Sequence, residues 1–265
     1  MKYFIQIIKM SFYNAKEYVI NFFGEIFMLP FTLLVISLFW TSILKVSPQI
    51  LISLGSTVSE IVFYYIVVSC VQYALSPFWY LNYPIYKDII NGKMSIYLAR
   101  PIDYMSFTAL KYVGEFVTRL FITGGCILLI SLIFKDIQIS LSSILLFILV
   151  LAEIIVIVFC LQFLIASISF KTEAIFGIRD LIYEIMYFLG GLIVPLSFLP
   201  GWLRNITDFL PFKYIYNYPA EILIKGINSG IMHDQFSLCL WMVVLLIISR
   251  VVFVTSQKYF TANGG

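Results

Sequence analysis

Six stretches of the chain are nearly free of charge: residues 26–44, 61–86, 120–134, 137–170, 185–203 and 235–249, with Glu153 the lone charge in the fourth. Most of them reach, with their flanks, the ~20 residues that a helix needs to cross ~30 Å of hydrocarbon. Backbone groups inside lipid must satisfy one another, so runs of this length are read as helices and not as buried strands. At 62% hydrophobic and 12% charged residues, the chain holds more apolar surface than a soluble fold of 265 residues could withdraw from water. These features predict a polytopic all-α membrane protein.

Six spans use most of the length, so the whole chain, 1–265, is expected to form one transmembrane domain. The spans are placed at about 22–44, 59–80, 112–134, 140–169, 181–199 and 235–255. An amphipathic helix is expected over 1–20. There Lys2, Gln6, Lys9, Tyr13 and Lys16 recur every three or four residues, opposite Phe4, Ile5, Ile8, Phe12 and Val19. That pattern fits a helix lying on the membrane surface, and it lacks the unbroken apolar run and cleavage site of a secretory signal. Of the 17 basic residues, only Lys45, Lys135, Arg204, Lys213 and Lys225 fall on one side of a six-span arrangement. The positive-inside bias therefore puts both termini in the cytoplasm.

The connections differ in length. The cytoplasmic loop over 81–110 contains Tyr86-Lys87-Asp88-Ile89-Ile90-Asn91-Gly92, a short helical turn closed by an Asn-Gly stop, and continues to Arg100-Pro101. The outer segment over 200–233 carries two further short helix candidates. Pro200 and Pro219 suit first helical positions, and Gly226 suits a C-terminal cap.

No catalytic constellation is present. One histidine, His233, rules out a two-histidine zinc site, and there is no GxSxG, HExxH or GxxxxGK[ST] motif. Cys70, Cys126, Cys160 and Cys239 lie inside predicted spans without metal-ligand spacing and are read as packing residues. A net charge of +3 gives no reason to expect nucleic acid. Glu153, mid-span, costs ~2.5–3.5 kcal/mol on insertion scales. It either lines a substrate path or interhelical contact, or is a protonated carboxyl that matters only for packing. Gly190-Gly191 and Pro195 are expected to thin and bend the fifth span, either for close helix packing or for a gating or substrate-path bend.

This order of elements resembles the membrane subunit of type-2 ABC exporters, in the family of short six-span permeases encoded beside a separate ATPase. The likeness rests on Asn91-Gly92-Lys93-Met94 through Tyr97-Leu98-Ala99-Arg100-Pro101-Ile102-Asp103. It rests also on Pro195-Leu196-Ser197-Phe198-Leu199-Pro200 through Leu210-Pro211-Phe212 to Tyr218-Pro219-Ala220. The resemblance implies short re-entrant outer helices between spans five and six. It implies a coupling element at Tyr86, Lys87, Asp88, Ile89, Ile90, Asn91, Gly92 and Arg100, with Ile89 and Ile90 as anchors on the ATPase. A connecting helix would carry Lys2, Lys9, Lys16 and Glu17, and a substrate path or interface would use Glu153, Gly190, Gly191 and Pro195. The expected partners are an ABC ATPase that holds the ATP and Mg, a second permease (identical or paralogous) and the lipids of a bacterial plasma membrane. A secondary transporter or channel would call for more intramembrane charge and repeated halves. A membrane-embedded enzyme would need acid, His or Cys sets that are missing here.

Overall fold

The protein is described from a computed structural model covering residues 57–99, 103–133, 139–172 and 175–260, together with 34–43 and positions 6, 9, 10, 13 and 31; side chains are described throughout except at 129–133. Helices dominate, and no strand occurs among the described residues. In chain order they are α1 (Leu34–Ile43), α2 (Val58–Trp79), α3 (Asn82–Ile90), α4 (Met94–Leu98), α5 (Tyr104–Ile133), α6 (Leu141–Ser167), α7 (Phe176–Gly190), α8 (Gly201–Asp208), α9 (Lys213–Lys225) and α10 (Ser229–Ser256). Three helical stretches among the described residues are long and apolar enough to cross a membrane: α2 continued through α3 (Val58–Ile90), Leu141–Phe170 and Ser229–Tyr259.

Short polar side chains start these helices. The hydroxyl of Thr57 accepts from the Glu60 amide at 3.2 Å, while the Glu60 carboxylate accepts from the Thr57 amide at 3.0 Å, a reciprocal capping box. Ser140 caps α6 and Asn228 caps α10 by accepting the N–H three residues on.

The burial pattern identifies the centre of the bundle. The most apolar part of α2 is 78% buried inside the protein, against 44% for the stretch containing α6 and 22% for that containing α10. α2 is therefore the hub, enclosed by α5, α6 and α9, and α10 lies outside it along α6. Aromatic rings fill the space between helices. Trp79 stacks on Tyr216 with centroids 6.1 Å apart, and Trp40 of α1 packs against Tyr65 and Phe198.

Two expectations from the sequence need correction. The apolar run that continues to Leu203 predicts a fifth span over about 181–199; the helix found there is α7. It occupies Phe176–Gly190 and stops at Gly191, whose φ of +92° is left-handed. The Leu192 amide donates to the Tyr187 carbonyl at 3.0 Å and the Gly191 amide to the Phe188 carbonyl at 3.4 Å, a Schellman closure. Fifteen helical residues rise only ~22 Å. The glycine pair thus ends this helix and does not bend it. Further on, α8 and α9 lie in the segment 200–233, for which the sequence predicts two short helices. Pro200 is the N-cap of α8, but Pro219 lies inside α9, not at its start. Gly226 ends α9 at φ +69°, as its position suggested.

Candidate functional site

The α2–α3 junction is a tight elbow. After Trp79 the chain turns through Tyr80 and Leu81 directly into α3. Asn82, 1% exposed, donates from Nδ2 to Gln162 Oε1 of α6 at 2.7 Å and lies 2.6 Å from the Tyr183 hydroxyl of α7. That hydroxyl is 2.6 Å from the Trp79 carbonyl and 2.8 Å from Gln162 Oε1. Four polar groups therefore tie the elbow to α6 and α7 in a site shielded from solvent, where hydrogen bonds polarise one another and an unmade one is costly. Gln162 Nε2 and the Trp79 indole N–H are buried beside this network and have no hydrogen-bond partner among the described residues. Nothing in the sequence marks Asn82, Gln162 and Tyr183 as neighbours, since they carry no charge and their pairs are separated by 80, 101 and 21 residues along the chain.

Beyond the elbow, α3 exposes one face. Ile85 and Ile89 are four residues apart, so both point inward and join the core. Ile89 is thus an internal packing residue and not an outward anchor, contrary to the sequence expectation; Ile90 is half-buried. Asp88 accepts from the Tyr104 hydroxyl of α5 at 2.8 Å, which braces α3. Tyr86 packs edge-on against Phe176 of α7. Lys87 lies over the Tyr83 ring at 4.4 Å and is exposed, as is Asn91, and Gly92 turns the chain at φ +71° into α4. In α4 the buried Met94 fixes the helix, while Ile96 and Leu98 stand out, 55% and 46% exposed. Arg100 lies outside the described residues, as do Lys2, Lys16 and Glu17. Lys9 is helical and exposed.

Glu153 is half-buried on α6 and is engaged by the last helix. Gln235 of α10 donates from Nε2 to Glu153 Oε2 at 2.6 Å, and the Cys239 thiol lies 3.6 Å from Oε1. The Tyr218 hydroxyl of α9 is 3.0 Å from Gln235 Oε1, so this cluster links α6, α9 and α10. Glu153 thus joins an interhelical hydrogen bond, a contact that both readings of this residue allow. Gln235 gave no signal of its own, and Tyr218 stood out only as part of the stretch Tyr218-Pro219-Ala220.

Gly190 and Gly191 face α9. A Cβ on Gly190 would come 3.0 Å from the Phe212 carbonyl oxygen, and one on Gly191 would sit 2.5 Å from the Tyr64 hydroxyl. That hydroxyl donates to the Gly191 carbonyl at 2.7 Å. Pro195 borders a cavity of about 500 Å³ lined by Glu60, Tyr64, Asn217, Glu221 and Lys225 among others. Nearby, the Lys213 ammonium bridges Asp208 of α8 and Asp234 of α10, each at 2.9 Å. Burial opposes its charge, but the two carboxylates more than compensate and raise its pKa well above the ordinary lysine range.

On the side of α5 that faces α10, Asp103 pairs with Arg250. Above them runs an apolar groove of about 920 Å³ between α5, α6 and α10. No group of three or more His, Cys, Asp or Glu side chains suited to a metal occurs among the described residues. The geometry offers interlocked helices, a braced exposed face at one end and polar joints within the bundle: parts suited to transmitting movement. Compared with known families, residues 28–264 match the family model described as "ABC-2 family transporter protein". No curated protein matches the chain.

Proposed function

The chain belongs to the ABC-2 family of transporter proteins, and from that premise we propose that it is the permease subunit of an exporter driven by a separate ABC ATPase docked at α3 and α4. The observation that carries this reading is the elbow. α3 is joined to the hub helix α2 by two residues and is bonded through Asn82 to α6 and α7. A push on α3 is therefore delivered to three helices at once, which a solvated loop could not do. The docking face consists of Lys87, Asn91, Lys93, Ile96 and Leu98, all exposed. It combines basic side chains with two apolar ones that a partner groove could bury.

In this reading ATP and Mg belong to the partner, and a second permease, identical or paralogous, completes the wall of the path. The six-span topology has both termini in the cytoplasm of a bacterial cell, in accord with the bias of basic residues. Single cysteines at Ser95 and Ser229, in a background with the four native cysteines replaced, test the orientation. An impermeant thiol reagent on intact cells should modify the Ser229 position and spare Ser95.

The coupling test is Ile96→Asp combined with Leu98→Asp. Both residues are exposed, so the permease should stay folded while the ATPase no longer copurifies and substrate-stimulated ATP hydrolysis is lost. Wild-type copurification and hydrolysis in this variant would move the docking face elsewhere.

A further inference from the structure

We propose that the groove between α5, α6 and α10 is a binding site for one phospholipid of the inner leaflet whose headgroup carries a primary ammonium beside its phosphate, as in phosphatidylethanolamine. Two features on different elements converge there. The first is shape and polarity: the groove holds about 920 Å³ and is walled by apolar side chains including Val113, Phe116, Val156 and Leu246. The second is an ion pair at one end only, Asp103 of the α5 N-terminus with Arg250 of α10. Both side chains remain accessible, at 36% and 49% of their free surface, and both line the groove.

The depth matches a lipid. From Asp103 to Val117 the helix rises ~21 Å, about half of the ~40–45 Å of a bilayer with its headgroups. An acyl chain laid along α5 therefore keeps its headgroup level with the ion pair. Charge selects the headgroup. A guanidinium favours phosphate through its planar fork of donors, and a carboxylate beside it accepts from an ammonium. An anionic headgroup would meet Arg250 but be repelled by Asp103, and a quaternary ammonium has no N–H to donate. Asp103 is well suited to stay ionised. Partial burial opposes its charge, but the Ser106 amide at 2.9 Å and Arg250 outweigh burial and lower its pKa below the usual carboxylate range.

The placement on the inner leaflet rests on the orientation given above, whereas the test uses neither ATP nor transport, so its failure leaves the permease reading intact. The purified full-length chain is reconstituted in nanodiscs of phosphatidylcholine doped equally with phosphatidylethanolamine and phosphatidylglycerol. Lipids that stay bound on release are then counted by native mass spectrometry. The expected result is one phosphatidylethanolamine per chain. Arg250→Gln and Asp103→Asn should each lower its retention about tenfold, the scale of one charge-assisted contact. Ala109→Trp fills the groove without touching the pair and should lower retention equally, with the melting temperature showing that each variant is folded. Equal retention of the two doped lipids, unchanged retention in the folded variants, or disulfide-linked dimers through Val113→Cys, which would put a second copy in the groove, each overturn the proposal.

Discussion

Helix α6 carries two polar sites, nine residues apart, built on opposite terms. Around Gln162 the groups are neutral and almost wholly buried, and they bind the α2–α3 elbow to α6 and α7. Around Glu153 there is a carboxyl group, half-buried, that meets an amide and a thiol from α10. The neutral site cannot exchange a lost partner for water, so every bond in it counts. The Glu153 site borders less enclosed space, and its main task is to give a costly acidic side chain a partner. The buried neutral network locks a joint, whereas the half-buried carboxyl holds a seam with fewer bonds to lose.

The largest effect should follow from breaking the locked joint. Asn82→Leu removes a donor from Gln162 and is expected to cost about 1–3 kcal/mol, with loss of ATPase coupling even where the protein still reaches the membrane. Combining it with Tyr183→Phe should give a non-additive loss, with a coupling energy of ~0.5–3 kcal/mol in a double-mutant cycle. Strictly additive losses would mean that the four groups do not act as one unit.

The seam should respond more mildly. Glu153→Gln keeps an acceptor for Gln235 and should melt within ~0.5 kcal/mol of wild type. Glu153→Leu strands the Gln235 amide and should cost about 1 kcal/mol. Replacing both residues by leucine should recover most of that loss, since the stranded amide is gone and the Tyr218 hydroxyl keeps the Ile231 carbonyl at 3.0 Å. If the double replacement is worse than the single one, the seam is as rigid as the elbow and the contrast fails.

The smallest effect belongs to the exposed pair Asp103–Arg250. Its carboxyl titrates lower in the folded protein than in the unfolded chain, so its contribution is present above the unfolded pKa of ~3.9 and fades as pH falls through the folded value. Screening limits the pair to roughly 0.2–1 kcal/mol. The difference in melting temperature between wild type and Asp103→Asn should thus be flat from pH 8 to 5 and shrink only in stronger acid. A difference that changes near neutrality would point to another titrating group.

How much of this was legible beforehand depended on the kind of signal. Glu153 announced itself because a charge in an apolar run is conspicuous. Gln162 lies in the same run and is more deeply buried, yet it carries no charge to single it out, and its partners lie 80 and 21 residues away. The start of α8 and the end of α9 were readable from Pro200 and Gly226, whereas Pro219 misdirected the start of α9, which lies six residues earlier at Lys213. The end of α7 was not, because apolarity continues past Gly191 while the backbone turns left-handed to present its carbonyl to Tyr64. Ile89 was misplaced because the sequence showed two adjacent isoleucines, and only the packing of Ile85 decided which of them faced inward.

The enclosure of α2 also sets a problem of timing. Its residues leave the ribosome early, but the groups that receive its side chains come much later: Tyr64 finds acceptors at Gly191 and Asn217, and Gln72 pairs with Tyr216. At ~5–20 residues per second, about 140 residues of further synthesis take roughly 7–30 s. Throughout that interval the hub helix has hydroxyls and an amide without their final partners, in a medium that offers them none. A newly made chain therefore depends on the insertion machinery, or on water drawn along that helix, to shelter its centre until the last third of the protein has arrived.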